Sequence, residues 1–371
     1  MNIGILLPGF SGSDDDWAIP VQSELMIALT AMGHAVRVIA LRYPHRHDRY
    51  RAFGADVVSL GYGQARGMRR FALWRAALGA LRRLHGETPF DVLHAMWADE
   101  TGMIAAWAGR RLGVPSAVSV LGGEFARHDD IAYGGQRTPF GRWITRGALR
   151  ADRVIVPSDG MRRLIADAGF AVEDGRFRKV VLGVNTLRFT PPPAKPDPRR
   201  LIHVASLVPV KDQTTLLRAV ALLPDVTLDI VGQGSEEGRL KALTGALGIA
   251  DRVVFHGAAA YPDLPAFYRR AGLFILTSRH EANNMAALEA AACGLPSVST
   301  AVGMLPEHAD FAECVPVGDA TGLAAAVRRL INDPSRYDAM QRAALERARD
   351  TFTIEATAAH SLGVYDELRR G

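Results

Sequence analysis

The feature that most constrains the fold is a repeated alternation of short apolar runs with longer helical segments. Runs rich in β-branched residues predict strands, and helical stretches between them predict crossover connections within parallel sheets. Helices are expected at Val21–Met32 and Thr101–Leu112, among others. In the first half of the chain the expected strands are Ile3–Leu7, Ala35–Leu41, Asp56–Leu60, Asp91–His94, Ser116–Val120 and Arg153–Val156. This pattern places the chain in the α/β class.

A proline-rich segment at 190–198 interrupts the alternation, and neither a helix nor a strand interior accommodates so many prolines. Beyond it the alternation resumes, with strands expected at Leu201–Ala205, Thr227–Val231, Val253–His256, Leu273–Leu276, Ser297–Ser299 and Glu313–Pro316. A chain of 371 residues is long enough for two α/β cores. We therefore predict two Rossmann-like domains that face each other across a cleft, where open α/β sheets bind ligands. The expected parts are an N-terminal domain at 1–190, a linker at 191–199, a C-terminal domain at 200–353, and a helix at 354–371 that packs back on the N-terminal domain.

The composition is that of a globular protein and gives no sign of disulfides, a cysteine-based metal site or a membrane-spanning segment. Hydrophobic residues make up 48% of the chain and charged residues 22%, a globular balance. Cys293 and Cys314 are the only cysteines, so we expect neither a disulfide framework nor a cysteine-based metal site. The start, Met1–Pro8, lacks a basic lead and predicts a buried strand rather than a signal peptide, and no apolar run reaches the roughly 20 residues that span a bilayer. We predict a cytoplasmic protein.

The net charge of +5 fits a phosphorylated ligand, an anionic membrane or simply a basic overall composition. No compact Lys/Arg run with interleaved aromatics marks a nucleic-acid face, so we expect no nucleic-acid partner. The segment 69–84 carries apolar residues at helical spacing among several arginines. Such a helix either packs its apolar stripe on the sheet or lies on an anionic membrane. Both interpretations fit, and peripheral contact with the inner membrane face is a hypothesis.

The stretch from Ser278 to Thr300 is the most informative for function. A strand is expected to end just before it and a helix to begin near Asn284, so Glu281 lies in the strand-to-helix loop and Glu289 within the helix. The unpaired N–H groups of a helix N-terminus favour an anion. A diphosphate placed there would leave Glu281 facing its sugar and Glu289 facing its ribose. Either glutamate alone fits an ordinary strand–helix unit, but together they favour a nucleotide sugar.

This stretch resembles the family-4 retaining glycosyltransferases, which have the two-Rossmann architecture called GT-B. Their signature is two glutamates separated by seven residues, then a small-residue helix and Cys/Ala-Gly-x-Pro, which Glu281 through Pro296 match. The resemblance implies that the first glutamate contacts the transferred sugar and the second binds the ribose hydroxyls. The usual Gly-aromatic-Gly/Pro stretch is replaced here by 282–284, Ala-Asn-Asn. We expect Asn283, Asn284 and Met285 on the donor side of this turn.

Two further segments extend the resemblance to the donor site. In the loop 205–212 many relatives place an arginine and a lysine on the donor diphosphate. Lys211 keeps the lysine, whereas Ser206 stands at the usual arginine position. A lone loop lysine also fits a solvated charge. Gly232 and Gly234 match the family's Gly-x-Gly turn, where glycines let the backbone approach the nucleotide.

The resemblance also places acceptor-side residues in the first half of the chain. Gly9 and Gly12 lie in the loop after the first strand, and Gly122, Gly123 and Glu124 match a glycine-containing turn after a later strand. The family's strand ending in His-x-His corresponds to 94–96, but Met96 replaces the second histidine. His94, or Asp99 and Glu100 in the next loop, would serve instead. A histidine that closes a buried strand equally fits a structural role.

The resemblance thus implies transfer of a sugar from a nucleoside diphosphate to an acceptor hydroxyl of a glycan, a glycolipid or a small molecule. Retention by front-face displacement is implied, with Glu281, Lys211 and His94 as the candidate catalytic residues. We expect neither a cofactor nor a metal. An epimerase or hydrolase of the same fold, or a catalytically silent nucleotide-sugar-binding protein, would also fit. A nicotinamide dehydrogenase is disfavoured, because the first strand–helix turn lacks the full glycine fingerprint.

Overall fold

Strand pairing divides the chain into two units. The computed structural model describes residues 1–173 and 175–370. Unit 1 comprises Met1–Val181 and Ile354–Gly371, and unit 2 comprises Leu182–Thr353. The division therefore falls between Val181 and Leu182, and the proline-rich segment at 190–198 belongs to unit 2.

The strands follow the apolar runs of the sequence. They are β1 (Asn2–Gly9), β2 (Ala35–Tyr43), β3 (Asp48–Ala52), β4 (Ala55–Ser59), β5 (Val92–Met96), β6 (Ser116–Ser119), β7 (Arg153–Val156), β8 (Phe177–Lys179), β9 (Arg200–Val204), β10 (Thr227–Val231), β11 (Val253–Phe255), β12 (Leu273–Leu276), β13 (Ser297–Thr300) and β14 (Ala312–Val315). The expected strand positions are confirmed to within about two residues at each end.

Helices occupy most of the connections. They are α1 (Pro20–Ala31), α2 (Met68–Glu87), α3 (Glu100–Leu112), α4 (Pro139–Ala148), α5 (Asp159–Asp167), α6 (Gln213–Ala221), α7 (Glu237–Ala246), α8 (Leu264–Tyr268), α9 (Met285–Ala292), α10 (Ala320–Asn332), α11 (Pro334–Asp350) and α12 (Ile354–Arg370). Their ends carry the usual signals: the Asp99 carboxylate accepts a hydrogen bond from the Thr101 N–H at the start of α3, and Gly113 ends it at φ 67°. None of the helices in the described part of the chain is both long and apolar enough to cross a membrane.

Each unit is built on one open sheet with a reversal of strand order. Across the described residues, the sheet of unit 1 runs β3-β4-β2-β1-β5-β6-β7-β8, and that of unit 2 runs β11-β10-β9-β12-β13-β14. The order reverses between β1 and β5 in unit 1 and between β9 and β12 in unit 2. Ligands of open α/β sheets bind at such switch points, beyond the carboxyl ends of the strands. Both units are therefore Rossmann-like.

Two edge strands were not predicted from the sequence, and one of them departs from the all-parallel pattern. β3 pairs antiparallel with β4, and β8 adds a short parallel strand beside β7. Neither carried a strand signal, because β3 reads Asp-Arg-Tyr-Arg-Ala and β8 is only three residues long. Both lie at sheet edges, where polar strands are tolerated because one side faces solvent.

The C-terminal helix α12 belongs to unit 1. Ile354, Ala358, Tyr365 and Leu368 are buried in the same core cluster as residues of β1, β2 and α1. The helix thus completes the layer that covers one face of the first sheet.

Candidate active site

Lys211 and Glu281 lie after the two strands that flank the switch point of unit 2. Lys211 closes a single 3₁₀ turn, Pro209–Lys211, that follows β9, and Glu281 follows β12. Lys211 Nζ lies 2.5 Å from Glu281 Oε1. The Ser278 hydroxyl donates to the same carboxylate oxygen at 2.6 Å. The structure therefore brings together two candidate catalytic residues that are 70 positions apart in the chain.

The pair is partly open to solvent, with 24% of the Lys211 side chain and 14% of the Glu281 side chain exposed. Burial alone would raise the pKa of Glu281, but the nearby Lys211 ammonium and the hydrogen bonds from Lys211 and Ser278 outweigh it, so the pKa is lowered. Glu281 is therefore ionised at neutral pH. A charged lysine held by one accessible carboxylate is a group that can shift to a bound anion.

Glu289 lies in the second turn of α9 and is buried. The Tyr268 hydroxyl donates a 2.7 Å hydrogen bond to its Oε2. Burial raises the pKa of Glu289 to about 7, although the Tyr268 hydrogen bond acts in the opposite direction. Tyr268 itself is fully buried and stacks edge-on to Phe189. One carboxylate oxygen of Glu289 is thus fixed by a rigid phenol.

The N-terminus of α9 begins at a left-handed residue, Asn284, with φ 52°. Its Oδ1 accepts from the Met304 N–H at 2.9 Å, and Nδ2 is buried without a hydrogen-bond partner among the described residues. The Asn283 amide is engaged differently, since it donates to Leu182 O and accepts from Leu182 N–H. Asn283 therefore fixes the segment at Leu182, and both polar atoms of its amide already hold one hydrogen bond there. Met285, half-buried, contacts the Asn283 amide through its sulfur at 3.0 Å.

Gly232 and Gly234 follow β10 and lie against the loop after β9. A Cβ at Gly232 would collide with the Ala205 carbonyl oxygen, and one at Gly234 with the Leu207 carbonyl oxygen. Gly232 also has φ 144°. Close approach of two loops therefore requires these glycines, a reason that the sequence did not indicate. Ser206, between the two carbonyls, is exposed and carries no positive charge to replace the missing arginine.

His94 lies in the core of unit 1 rather than at an accessible edge, which argues against the catalytic role considered for it. The residue is 1% exposed, Nδ1 lies 2.6 Å from the Tyr365 hydroxyl, and Nε2 lies 2.8 Å from the Ser119 hydroxyl. Burial lowers its pKa to about 3, so the ring is neutral at physiological pH. With both ring nitrogens engaged, His94 joins β5 to β6 and α12.

The loop after β5, which follows the replaced second histidine, contains a strained residue. Trp97 adopts φ 85°, which is unfavourable for a bulky side chain. Asp99, two residues later, caps α3, and burial raises its pKa to about 7. Glu100 is buried and paired with both Arg42 and Arg70. Of the two loop carboxylates proposed as substitutes, Glu100 is thus neutralised inside unit 1.

The predicted acceptor-side residues share the switch-point edge of unit 1, but several are engaged there. Glu124 is buried and accepts from the N–H groups of Ala98, Leu121 and Gly122. The carboxylate therefore ties the loop after β5 to the loop after β6. A Cβ at Gly123 would meet the Tyr133 ring.

The first loop of unit 1 is held by a separate set of contacts. Gly9 ends β1, and a Cβ there would press on Tyr43. Gly12 donates its N–H to Asp16 at 2.7 Å, and its carbonyl accepts from Arg46 at 2.9 Å. The loop is therefore fixed by its neighbours without any ligand.

Ser278 and Tyr268 hold the two glutamates and were missed by sequence reasoning. The contact of Ser278 could have been found in the sequence. Ser278 follows a buried strand and precedes Glu281 by three residues, so its hydroxyl is well placed to donate a hydrogen bond to that carboxylate. Nothing in the sequence indicated the contact of Tyr268, since this residue lies in a helix of five residues that the pattern did not predict.

The two units match two models of known protein families. Residues 19–183 match the model described as glycosyl transferase 4-like domain, and residues 187–347 match glycosyl transferases group 1. A similar curated protein is the D-inositol 3-phosphate glycosyltransferase of Mycolicibacterium gilvum, 32% identical over 58% of this chain. The matched part spans about half (52%) of that relative.

Similar solved structures show the same fold. Sucrose-phosphate synthase from Thermosynechococcus elongatus superposes with a TM-score of 0.80 and 22% identity, covering 99% of each chain. The Anabaena HepE protein, in complex with UDP and glucose, gives a TM-score of 0.74 and 20% identity over 99% of this chain and 100% of that one. Both family models and the two-sheet architecture agree with the motif at Glu281 and Glu289: the chain belongs to the family-4 glycosyltransferases.

Proposed function

We propose that this protein transfers a sugar from a nucleoside diphosphate sugar to an acceptor hydroxyl, with retention of the anomeric configuration. The observation that carries the proposal is the contact between Lys211 and Glu281 at the switch point of unit 2, beside the N-terminus of α9. A cation, an ionised carboxylate and a helix N-terminus at one switch point match the charges of a diphosphate and the hydroxyls of a sugar.

In the proposed reaction the bond between the anomeric carbon and the diphosphate oxygen breaks, and a bond to the acceptor oxygen forms on the same face. The acceptor proton passes to the departing phosphate oxygen. Lys211 and the first N–H groups of α9 would stabilise the negative charge that develops on the diphosphate. Glu281, ionised and fixed by Ser278, would accept hydrogen bonds from the sugar hydroxyls.

Glu289 would bind the nucleoside. A carboxylate can accept hydrogen bonds from both hydroxyls of a ribose diol. Since Tyr268 already occupies Oε2, the remaining capacity of the carboxylate would serve the ribose. The requirement for an ionised Glu289 makes nucleotide binding sensitive to pH near neutrality.

UDP-glucose is the first donor to test, because the Anabaena HepE structure contains UDP and glucose. The acceptor is proposed only as a class: a glycan, a glycolipid or a small molecule with a free hydroxyl. We propose that the donor binds without a metal ion, so activity would survive a chelator. A cytoplasmic location, with peripheral contact at an anionic membrane, is part of the same proposal.

The test is a two-stage assay on the full chain. Thermal stabilisation with UDP, GDP, ADP and their sugars identifies the base, and release of that nucleoside diphosphate is then measured with and without a panel of acceptors, in the presence of EDTA. We expect acceptor-dependent release, and NMR of the product should show the anomeric configuration of the donor.

Other outcomes distinguish the alternatives. Release of the diphosphate, or change of the sugar, without any acceptor would favour an epimerase or a hydrolase. Stabilisation by a nucleotide sugar with no turnover across the panel would favour a silent binding protein. An inverted product would overturn the retaining assignment while leaving the donor site intact.

A further inference from the structure

Two helices of unit 1 expose large apolar side chains next to each other. At the start of α2, Met68 is 86% exposed and Phe71 62% exposed, whereas the following residues Leu73 and Trp74 are buried. On α4, Phe140 is 42% exposed and Trp143 46% exposed. Side chains of this size are normally buried, and a cluster of them on one surface indicates an interaction site.

Ring contacts join the exposed aromatic residues of the two helices through the buried Trp74. Phe71 stacks edge-on to Trp74 with centroids 5.1 Å apart, Trp74 lies 5.9 Å from Trp143, and Trp143 lies 5.8 Å from Phe140. Trp74 is anchored from below by a 2.9 Å hydrogen bond from its indole N–H to Glu100. The exposed rings of Phe71, Phe140 and Trp143 therefore form one connected platform, with Met68 three residues before Phe71 on α2.

Arginines surround this platform, and acidic residues are excluded from its two segments. Residues 62–86 and 131–151 contain no Asp or Glu. Glu100, beneath the platform, is buried and paired with Arg42 and Arg70. The exposed arginines that flank the apolar residues, none of which has an ion-pair partner among the described residues, are Arg66, Arg69, Arg75 and Arg146. We name these four and the apolar residues Met68, Phe71, Phe140 and Trp143 the α2–α4 face.

We propose that the α2–α4 face docks unit 1 on an anionic lipid bilayer. The four apolar side chains would enter the headgroup region, and the arginines around them would contact lipid phosphates. This inference deepens the proposed membrane contact, and vesicle binding needs neither donor nor acceptor, so its failure would leave the sugar-transfer proposal untouched.

The charge pattern favours a bilayer over other occupants. A second copy of the chain, packed face to face on the same surface, would bring arginine against arginine with no carboxylate in either segment to pair with them. A nucleic acid would satisfy the arginines but leave Met68 and Phe71 in water. An anionic bilayer satisfies both kinds of side chain.

The experiment is co-sedimentation of the full chain with large vesicles of phosphatidylglycerol and phosphatidylcholine, compared with phosphatidylcholine alone, at low and high salt. We expect binding only to the anionic vesicles, weakened by salt because the arginine contacts are screened. Met68→Gln with Phe71→Gln should lower the partition coefficient by about tenfold or more, and Arg69→Gln by about fivefold. These positions are exposed, so the variants should melt like the parent protein.

Matched controls come from unit 2. Leu187 is 88% exposed, and Arg342 is exposed with no ion pair among the described residues. Leu187→Gln and Arg342→Gln should leave vesicle binding unchanged. Failure of the parent protein to sediment with anionic vesicles at low salt would overturn the proposal, as would equal losses in the control variants. A dimer in sedimentation velocity that Phe71→Gln dissociates, without vesicle binding, would assign the face to a second copy instead.

Discussion

The switch-point edges of the two units carry similar polar residues but hold them in different ways. In unit 2, Glu281 is paired with a lysine side chain, and both groups reach solvent. In unit 1, the Glu124 carboxylate accepts hydrogen bonds from three backbone N–H groups. Both ring nitrogens of His94 are engaged there too, by the hydroxyls of Tyr365 and Ser119. Backbone partners are fixed by the fold, whereas a lysine side chain can turn toward a ligand. A polar residue at a strand end therefore becomes a candidate site only where its partner can be exchanged.

A second contrast lies within unit 2. Glu281 has a lowered pKa because a cation and two hydrogen bonds outweigh its burial, and Glu289 has a pKa raised to about 7 because only the Tyr268 hydroxyl opposes burial. One carboxylate is thus ionised at all physiological pH values, and the other titrates within that range. The two glutamates of one motif are prepared for different tasks.

The largest effect on activity is expected from substitutions that break the Lys211–Glu281 pair. If the pair stabilises the departing diphosphate and orients the sugar, Lys211→Met or Glu281→Gln should each lower kcat by roughly 10²–10³-fold, as removal of one transition-state contact does. Steady-state kinetics with the identified donor measure this loss.

A surface pair of the same charge type supplies the control for that experiment. Lys241 and Glu237 form a 2.7 Å ion pair on α7, four residues apart. Lys241→Met should leave kcat unchanged and alter the free energy of unfolding by less than about 0.5 kcal/mol. If Lys211→Met leaves kcat as unchanged as Lys241→Met does, the Lys211–Glu281 pair has no role in catalysis.

A pH series tests the contrast between the two glutamates. Nucleotide binding that uses ionised Glu289 should weaken below pH about 7, with Kd rising up to about tenfold per pH unit. Isothermal titration calorimetry with the preferred nucleotide, between pH 6 and 8.5, measures this slope. Tyr268→Phe removes the hydrogen bond that favours the ionised form, so it should move the midpoint to higher pH. If the dependence of Kd on pH persists in Glu289→Gln, another titrating group causes it.

The stability of the nucleotide-free protein should change with pH in the opposite direction to nucleotide affinity. Folding raises the pKa of Glu289 from 4.5 to about 7, so between these values the folded chain holds a proton that the unfolded chain has lost. The free energy of unfolding contributed by this group therefore falls as the pH rises through that window. Glu281, with its lowered pKa, contributes in the opposite sense at lower pH. Melting temperatures of Glu289→Gln should show a flatter profile than those of the parent protein.

Most of the architecture could be predicted because it depends on local patterns. Buried parallel strands are predominantly apolar, and β7, β10 and β12 were predicted to the residue. The edge strands β3 and β8 were missed, since pairing at an edge requires no apolar pattern. Lys211 and Glu281 were each selected from the resemblance, but their contact with each other was not predicted.

Burial and the choice of partner at the site were not predictable from the sequence. Nothing near Asn283 indicates that its amide binds Leu182, 101 positions away. The same holds for His94, whose partner Tyr365 lies 271 positions away on a helix returning to the first unit. Long-range contacts of this kind depend on the packed tertiary structure, which local spacing does not encode.

The smallest expected effect on activity comes from His94. Replacing it by Gln should leave kcat/KM within about twofold, because the ring contacts only core groups. It should lower stability by about 1–3 kcal/mol, since the Tyr365 and Ser119 hydroxyls would lose well-placed partners. For a unit of this size each kcal/mol corresponds to about 2–4 °C in Tm. Tyr365→Phe removes the same hydrogen bond from the other side and should reproduce the loss of Tm without a loss of rate. If His94→Gln abolishes turnover at an unchanged Tm while Tyr365→Phe retains it, then His94 acts on the substrate, and the edge of unit 1 is a second reactive edge rather than a closed one.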